Sequence, residues 1–580
     1  MAKVLRVCTL SILLAAIGCV NDPLPFSPLA AQQQERQLAG EVAQPSTPPY
    51  PTTMESQYAP FALPRGGAAT QPTMGPDYET TPTVRLTLQD LIQRSVLYSH
   101  AVKVAGYDPA IAETRIIEAQ AHFDPTFFTN TQYERHDVPT GGEEITLPTN
   151  PFATPPPIFY TTKTRTMQVQ TGIRQQLDSG GQAEFRWEGT LTDQEPQTTI
   201  QNPLYTSELI LEITQPLLRD FGAEVNRARI VLERNNTKVS VLDYRLAMEK
   251  NIATIEQTYW QLVQAQRDVE ADKELLSQTQ QSADILSKRY GEDATREGIS
   301  QTLTALNGRR AILERTQAHM ADLSDELKRL VDDPDLPVAS SLLIIPESAP
   351  TLDYIRFDLD DQIRTAMDCR ADLAEAQLKI DNASEILKVA KNNLLPQLNF
   401  VGKFSFIGGD VDITSAVDDE MDWNRINYQA GLQLEVPIGN REASAIYQRS
   451  LLQREQAIET YSDTIAQGMQ EVKTALRDVV TSWQEVVSNR RAVFAAEDAL
   501  AANQAREESN QILTPEFLQL KLDRQGDLAN ARIQYDAAIA SYNTALATLE
   551  RSKGTLLRYD NIVLQEDRWP YGQGVRKKQQ

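Results

Sequence analysis

The chain has 580 residues, of which 41% are hydrophobic and 7% aromatic, and a formal charge of −23. So small an apolar share is poor material for a large globular enzyme and suits long helices with narrow apolar seams. The acidic balance excludes nucleic acid as a partner, because phosphates would be repelled.

The N-terminus "MAKVLRVCTLSILLAAIGCVND" places Lys3 and Arg6 ahead of a short apolar run and small residues. The run is too short to span a bilayer and reads as an export signal over residues 1–19. Ala16-Ile17-Gly18-Cys19 is similar to a bacterial lipoprotein processing site, which makes Cys19 the expected lipidation point. Ordinary cleavage nearby, with Cys19 incidental, is the alternative. Residues 20–83 are rich in Pro, Gln, Ser and Thr without periodicity and read as a disordered tether.

From Leu86 the chain is written twice. "LTLQDLIQRSVLYSHAVKVAGYDPAIAETRIIEAQAHFDPTFFTNTQY" aligns without a gap with "FDLDDQIRTAMDCRADLAEAQLKIDNASEILKVAKNNLLPQLNFVGKF", at an offset of 271. Asp90 falls on Asp361, Ile92 on Ile363 and Pro125 on Pro396. Each copy is a helix, a proline and then alternating strands. Six such strands are expected: Thr126–His136, Arg165–Leu177, Gln182–Leu191 and Thr206–Gln215 in the first copy, Gln397–Ile407 and Asn427–Val436 in the second. In "AEFRWEG" Phe185 and Trp187 oppose Glu184, Arg186 and Glu188. About ten residues is the length of a tilted membrane-spanning strand, and long Pro-rich connections alternate with one tight turn, "DSGG" at Asp178–Gly181. This patterning predicts a greasy face toward lipid and a wet face toward a lumen. Six strands are too few to close a transmembrane barrel, so the edges should pair with further copies.

After each strand set comes a proline-free stretch of 68 residues, Ala223–Tyr290 and Ala443–Asn510, followed by a return helix over Ile299–Val331 and Pro515–Leu557. Leu306, Leu313, Met320 and Leu327 recur every seven residues. Leu528, Ala531, Tyr535, Ala538, Tyr542, Ala545 and Leu549 step by threes and fours, which is coiled-coil periodicity.

The duplicated helix–Pro–strand units, the elbows "TQPLLRDFG" and "EVPIGNRE", and the terminal "YNTALATLERSKGTLL" together resemble the TolC-like outer-membrane efflux proteins. The resemblance spans about Val84 to Leu557. It implies an α+β membrane protein built from a duplicated helix–strand–long helical hairpin unit. Three copies would form an α-barrel periplasmic tunnel with a shared transmembrane β-barrel. The expected parts are a first repeat at 84–333, an equatorial linker at 334–353, a second repeat at 354–558 and a tail at 559–580. The partners implied are two further copies, outer-membrane lipid, a periplasmic adaptor and an inner-membrane pump, with no cofactor. One departure stands out: Pro125 to Pro216 spans 91 residues but Pro396 to Pro437 only 41. The surplus holds an extra strand pair, which either widens the wall to six strands a copy, eighteen in a trimer, or folds as a hairpin outside it.

Nothing in the sequence looks catalytic; His100, His122, His136 and His319 are scattered without metal-ligand spacing. By position in the family, Gly298, Ile299, Ser300, Ile512, Leu513 and Thr514 take the place of the tip residues that meet the adaptor. Glu516 and Asp523, seven apart, are the candidate acidic gate, with an ordinary solvated helix face as the alternative. Two rival readings are a periplasmic coiled-coil scaffold, which has no use for lipid-facing strands, and an adaptor, which would carry one hairpin rather than two.

Overall fold

The computed structural model describes residues 81–143, 157–195, 202–289, 296–508 and 515–563, all within one unit, Tyr78–Leu564. The signal, with Cys19, and all of the tether but residues 81–83 lie outside the described residues, as does the tail beyond 563; Thr83, placed at the end of the tether, instead opens a strand paired with Leu343.

A short strand β1 (Thr83–Leu86) leads into helix α1 (Leu88–Tyr98). Thr87 starts that helix with a capping box: its Oγ1 accepts from the Asp90 amide at 3.1 Å while Asp90 Oδ2 accepts from the Thr87 amide at 3.2 Å. Helix α2 (His100–Gln120) follows after a break at Ser99, whose φ and ψ are −52° and 122°. The second copy repeats this 271 residues on. Asp358 caps the later helix Leu359–Cys369, and Arg370, at −68° and 126°, breaks it before Ala371–Asn392. The single helix expected in each copy is therefore two, because each breaking residue is held in an extended conformation no helix accepts.

Six strands then form one antiparallel sheet in the order β2 (Thr126–Glu143), β3 (Pro157–Gln176), β4 (Gln182–Glu195), β5 (Leu204–Pro216), β7 (Gln397–Asp410), β8 (Ile426–Glu435). The extra pair thus lies within the sheet, as β3 and β4, rather than outside it. Its tight turn is bolted to the strand-to-helix elbow. Gly222 N donates to Ser179 O at 3.0 Å, Ser179 Oγ donates to Gln215 Oε1 at 2.8 Å, and Arg227 pairs with Asp178. Gly180 has φ +89°, and a Cβ there would stand 2.0 Å from Asp220 O, so only glycine fits. β1 pairs in parallel with a linker strand, β6 (Leu343–Pro346), a contact the repeat pattern does not announce.

The long helices are α3 (Ala228–Lys288) and α8 (Arg441–Glu508), of 61 and 68 residues. Their returns are α4 (Arg296–Val331) and α9 (Pro515–Ser552); the paired short helices of the second copy are α5 (Leu359–Cys369) and α6 (Ala371–Asn392). Nearer the sheet, α2 packs on α3, α3 on α6 and α6 on α8; farther away, α4 packs on α3, α3 on α9 and α9 on α8. Four helices lie side by side at either level, with the two long ones common to both. The heptad residues Leu306, Leu313, Met320 and Leu327 are buried, as are Ala538, Tyr542, Ala545 and Leu549. Each fully buried Leu or Met among them contributes ~1.5–3 kcal/mol, so the seams hold the helices together. Tyr259 and Tyr542 lash the linker down: Ser348 N donates to Tyr259 Oη at 2.8 Å, and Tyr542 Oη donates to Asp353 O at 2.8 Å.

Where the chain leaves α9, the carboxyl groups of Glu256 on α3 and Asp560 are hydrogen-bonded to each other. Burial, then the charges of Asp560 and Glu550, push Glu256 up to about 9. A carboxyl that holds its proton more tightly when folded stabilises the fold most at acid pH, and that contribution drains away between its unfolded value, near 4.5, and 9. The melting temperature of the protein should therefore fall from pH 5 to pH 9. Glu256→Gln, which keeps a hydrogen-bond donor and no charge, should flatten the fall; an unchanged profile would refute this account of the pair.

Candidate functional site

The register of the sheet sets one apolar residue of every strand in a single row. Phe127 faces Ile173, Ile173 faces Phe185, Phe185 faces Leu211, Leu211 faces Phe404 and Phe404 faces Tyr428. All six are exposed. A second row on the same face runs Trp187, Leu209, Phe406, Ile426. Leaving each of these large side chains in water forfeits ~1.5–3 kcal/mol, so the face demands an apolar cover. The band has an end. Arg165 pairs with Asp193 at 3.1 Å and Glu195 at 3.4 Å on this face, just beyond Tyr133 and Tyr205. From Ala183 to Leu191 the apolar run along β4 is about 27 Å.

The opposite face is charged, and it is the less exposed of the two. Arg186, 17% exposed, meets Glu184 at 2.6 Å, Glu212 at 3.0 Å and Glu188 at 4.0 Å, whereas Phe185 beside it is 51% exposed. Gln170 Nε2 donates to Glu188 at 3.0 Å, and Lys403 pairs with Glu208 at 3.4 Å. Greasy residues outward and mutually paired charges inward invert the usual order of a protein in water. The edge strands β2 and β8 each have a strand on one side only, among the described residues.

A short helix, α7 (Ile413–Met421), breaks the β7–β8 connection, where the sequence reading has only a loop. It lies on the apolar face against β5 and β7. Gly408 makes the close approach: a Cβ there would stand 2.0 Å from Ala416 O. Trp187 Nε1 donates to Ser207 Oγ at 2.7 Å, Ser207 bonds in turn to Glu420, and Trp423 packs on Phe406 with centroids 4.1 Å apart.

At the far end of the helices, Gly298 is buried, Ser300 is exposed, and Ile299 packs with Phe517 on Leu286 and Leu518. Ile512, Leu513 and Thr514 lie outside the described residues. Glu516 and Asp523 are both exposed on α9, and Asp523 Oδ1 accepts from Gln519 Nε2 at 2.8 Å. Sequence reasoning missed the arginines that bind the two hairpins together. Arg309 on α4 donates to Leu522 O at 2.7 Å, to Gln525 Oε1 at 3.3 Å and to Thr279 Oγ1. Arg532 on α9 reaches Glu274 of α3 at 2.6 Å and Glu497 of α8 at 3.2 Å. Arg267 meets Asp536 at 2.7 Å. Single basic residues on a helix surface carry no pattern, so the sequence offers no signal for them. Among the described residues no group of three His, Cys, Asp or Glu is placed to hold a metal, and no helix is long and apolar enough to cross a membrane.

No protein-family model and no curated protein matches the chain. Solved structures do. The outer membrane protein VceC of Vibrio cholerae is 16% identical with a TM-score of 0.55, over 80% of this chain and 96% of its own. A membrane protein from Pseudomonas aeruginosa gives 16% and 0.58, over 80% and 93%. The Campylobacter jejuni CmeC outer membrane channel gives 15% and 0.56, over 81% and 86%. The fold of this chain is that of the TolC-like outer-membrane channels, as the repeated helix–Pro–strand units led us to expect. At these identities the likeness is one of fold.

The arginine links make a prediction of their own. Arg309→Ala leaves three partners without their donor, at about 1.5–3 kcal/mol for a charged hydrogen-bond set. Backbone amides around Leu522 should then exchange with deuterium roughly tenfold faster or more, with Arg309→Lys intermediate. Unchanged exchange would show that the seams alone hold the hairpins in place.

Proposed function

We propose that this chain is a passive, homotrimeric exit duct of the outer membrane, in which the sheets of three copies close a shared barrel and the helices form a tunnel in the periplasm. The observation that carries the reading is the two-faced sheet: an apolar row across all six strands, a charged face behind it, and, among the described residues, an open edge on β2 and on β8. Lipid is the cover that suits the apolar face, and water in a lumen suits the charged one. A second copy is the partner that satisfies an open edge within a bilayer, where no water is present to do so. The likeness in fold to solved outer-membrane channels supports the same reading.

The duct catalyses no reaction in this reading; energy comes from an inner-membrane pump joined through a periplasmic adaptor, in a tripartite efflux or type I secretion system. Gly298, Ile299 and Ser300, with Ile512, Leu513 and Thr514, are assigned to the adaptor contact at the two hairpin turns. Glu516 and Asp523 are assigned to the gate, where three copies of each would gather cations at the bore.

Single-particle imaging of the detergent-extracted protein should give a threefold tube with a barrel at one end. A soluble monomer would sink the reading, because the apolar row would then need a protein cover. For the gate, Asp523→Asn should weaken cation preference and block by multivalent cations in planar bilayers. Unaltered conductance and block would remove that residue from it.

A further inference from the structure

We propose that the helical wall carries, just short of the sheet, a binding site for amphiphilic organic anions, formed where α6 lies recessed between α3 and α8. The inference rests on the exit-duct reading and adds to it a class of cargo held on the wall in transit.

Helix α6 packs against α3 on one side and α8 on the other. One stripe of it, spaced by threes and fours through Lys379, Asn382, Ile386, Val389 and Asn393, is left as the floor of a groove. Among the first turns of α3 and α8 the groove holds a cavity of about 500 Å³. A second, of about 300 Å³, adjoins it across Ile386 and Gln453, which line both. That is room for a small organic molecule.

The lining names the ligand. Leu232 of α3, Ile386 and Val389 of α6 and Ile446 of α8 supply the apolar surface, and Ile386 is 43% exposed. The charges are all positive: Arg229 and Arg449 line the first cavity, Lys379 lines the second, and no Asp or Glu lines either. In a chain of net charge −23 that local balance runs against the whole. Lys379 is paired with Glu375 at 2.6 Å, and Arg229 meets Glu118 at 3.4 Å with both side chains largely exposed. Arg449 has no hydrogen bond or ion pair among the described residues. Two guanidinium groups beside an apolar floor suit a carboxylate or sulfonate on an apolar body. Exposed charge pairs are weak, so the ligand would be held briefly, as a duct requires. Toward mid-height a cavity of about 1110 Å³ opens on the same side of the layer, but there Asp463, Glu471 and Asp478 offset Lys250, Arg370 and Arg551. An anion is favoured only near the sheet.

The groove faces away from the linker. Tyr259 and Tyr542 hold the linker, while Lys250 and Arg551 line the mid-height cavity. Each lies nine residues from its tyrosine, two and a half helical turns, and so on the opposite side of its helix. A bore has no room for the linker, which therefore lies outside the tunnel and leaves the groove facing the cargo.

The test asks whether an anion shields the groove. Full-length protein carrying Gln453→Cys in a Cys369→Ser background, in lipid nanodiscs, would be labelled with N-ethylmaleimide and the peptide bearing the new thiol followed by mass spectrometry. The probes are octanesulfonate and octyltrimethylammonium, which share a tail and differ in the sign of the head. At about 5 mM, a sulfonate with a dissociation constant of ~1 mM should slow labelling about sixfold, and the ammonium less than about twofold. Arg449→Glu should abolish the shielding and Arg449→Lys should keep most of it. Gln467→Cys, in the mid-height cavity, should not be shielded. Equal shielding by both probes, or by the sulfonate at both positions, overturns the inference, as does none at all. Either result with a threefold tube present leaves the exit duct standing. Absence of that tube overturns the duct reading and this inference with it.

Discussion

An antiparallel sheet with one greasy face and two open edges is unstable by itself in water and in lipid alike. In water the row from Phe127 to Tyr428 stays exposed, and in lipid the backbone groups along β2 and β8 go unsatisfied. In the proposed exit duct, lipid would cover the face and another copy of the sheet would cover the edges. The rest of the molecule is arranged around that requirement. The elbows after β5 and β8 turn the chain off the sheet at one end, the long helices start there, and the tight β3–β4 turn is pinned to the first elbow.

The helical layer meets a different constraint. Long helices α3 and α8 run its full length, while each partner position is filled by one short helix near the sheet and another farther off. The layer is therefore discontinuous at mid-height. There Arg370 donates to Ser552 O at 2.8 Å and pairs with Glu471 at 2.7 Å, and Arg245 donates to Gly554 O at 2.6 Å. These guanidinium groups stitch the end of α9 to the start of α6 and to the long helices on either side, a task that suits a planar, multi-donor group. Beyond the junction the two hairpins are bound by apolar seams and by a few arginines at the far end. Such links hold position yet can be broken for a few kcal/mol each, whereas the seams cannot.

Much of this was legible in the residues. Alternation in "AEFRWEG" and "LNFVGKF" put Phe185 and Phe404 on one face and Arg186 and Lys403 on the other, and the register confirms those faces. The sevenfold spacing from Leu306 and the threes and fours from Leu528 announced seams, and Leu306, Leu528 and Leu549 are buried. The breaks at Ser99 and Arg370 were not legible, since neither residue is a helix breaker by type. Helix α7 escaped because its nine residues sit in an acidic connection with no long period to read. The tip assignment drew on position in a resembling family, so the residues themselves do not establish it.

The sequence by itself determined the duplication, the two faces of each strand and the two lengths of helix, because periods of two, seven and 271 residues are properties of a linear string. Only the tertiary structure decided that β3 and β4 belong to one sheet with the other four strands, that α7 lies on the greasy face, and which arginines join the hairpins. Each of these depends on contacts between residues far apart in the chain, such as Arg227 with Asp178 or Ser207 with Glu420, whose energy exists only once the fold has brought them together.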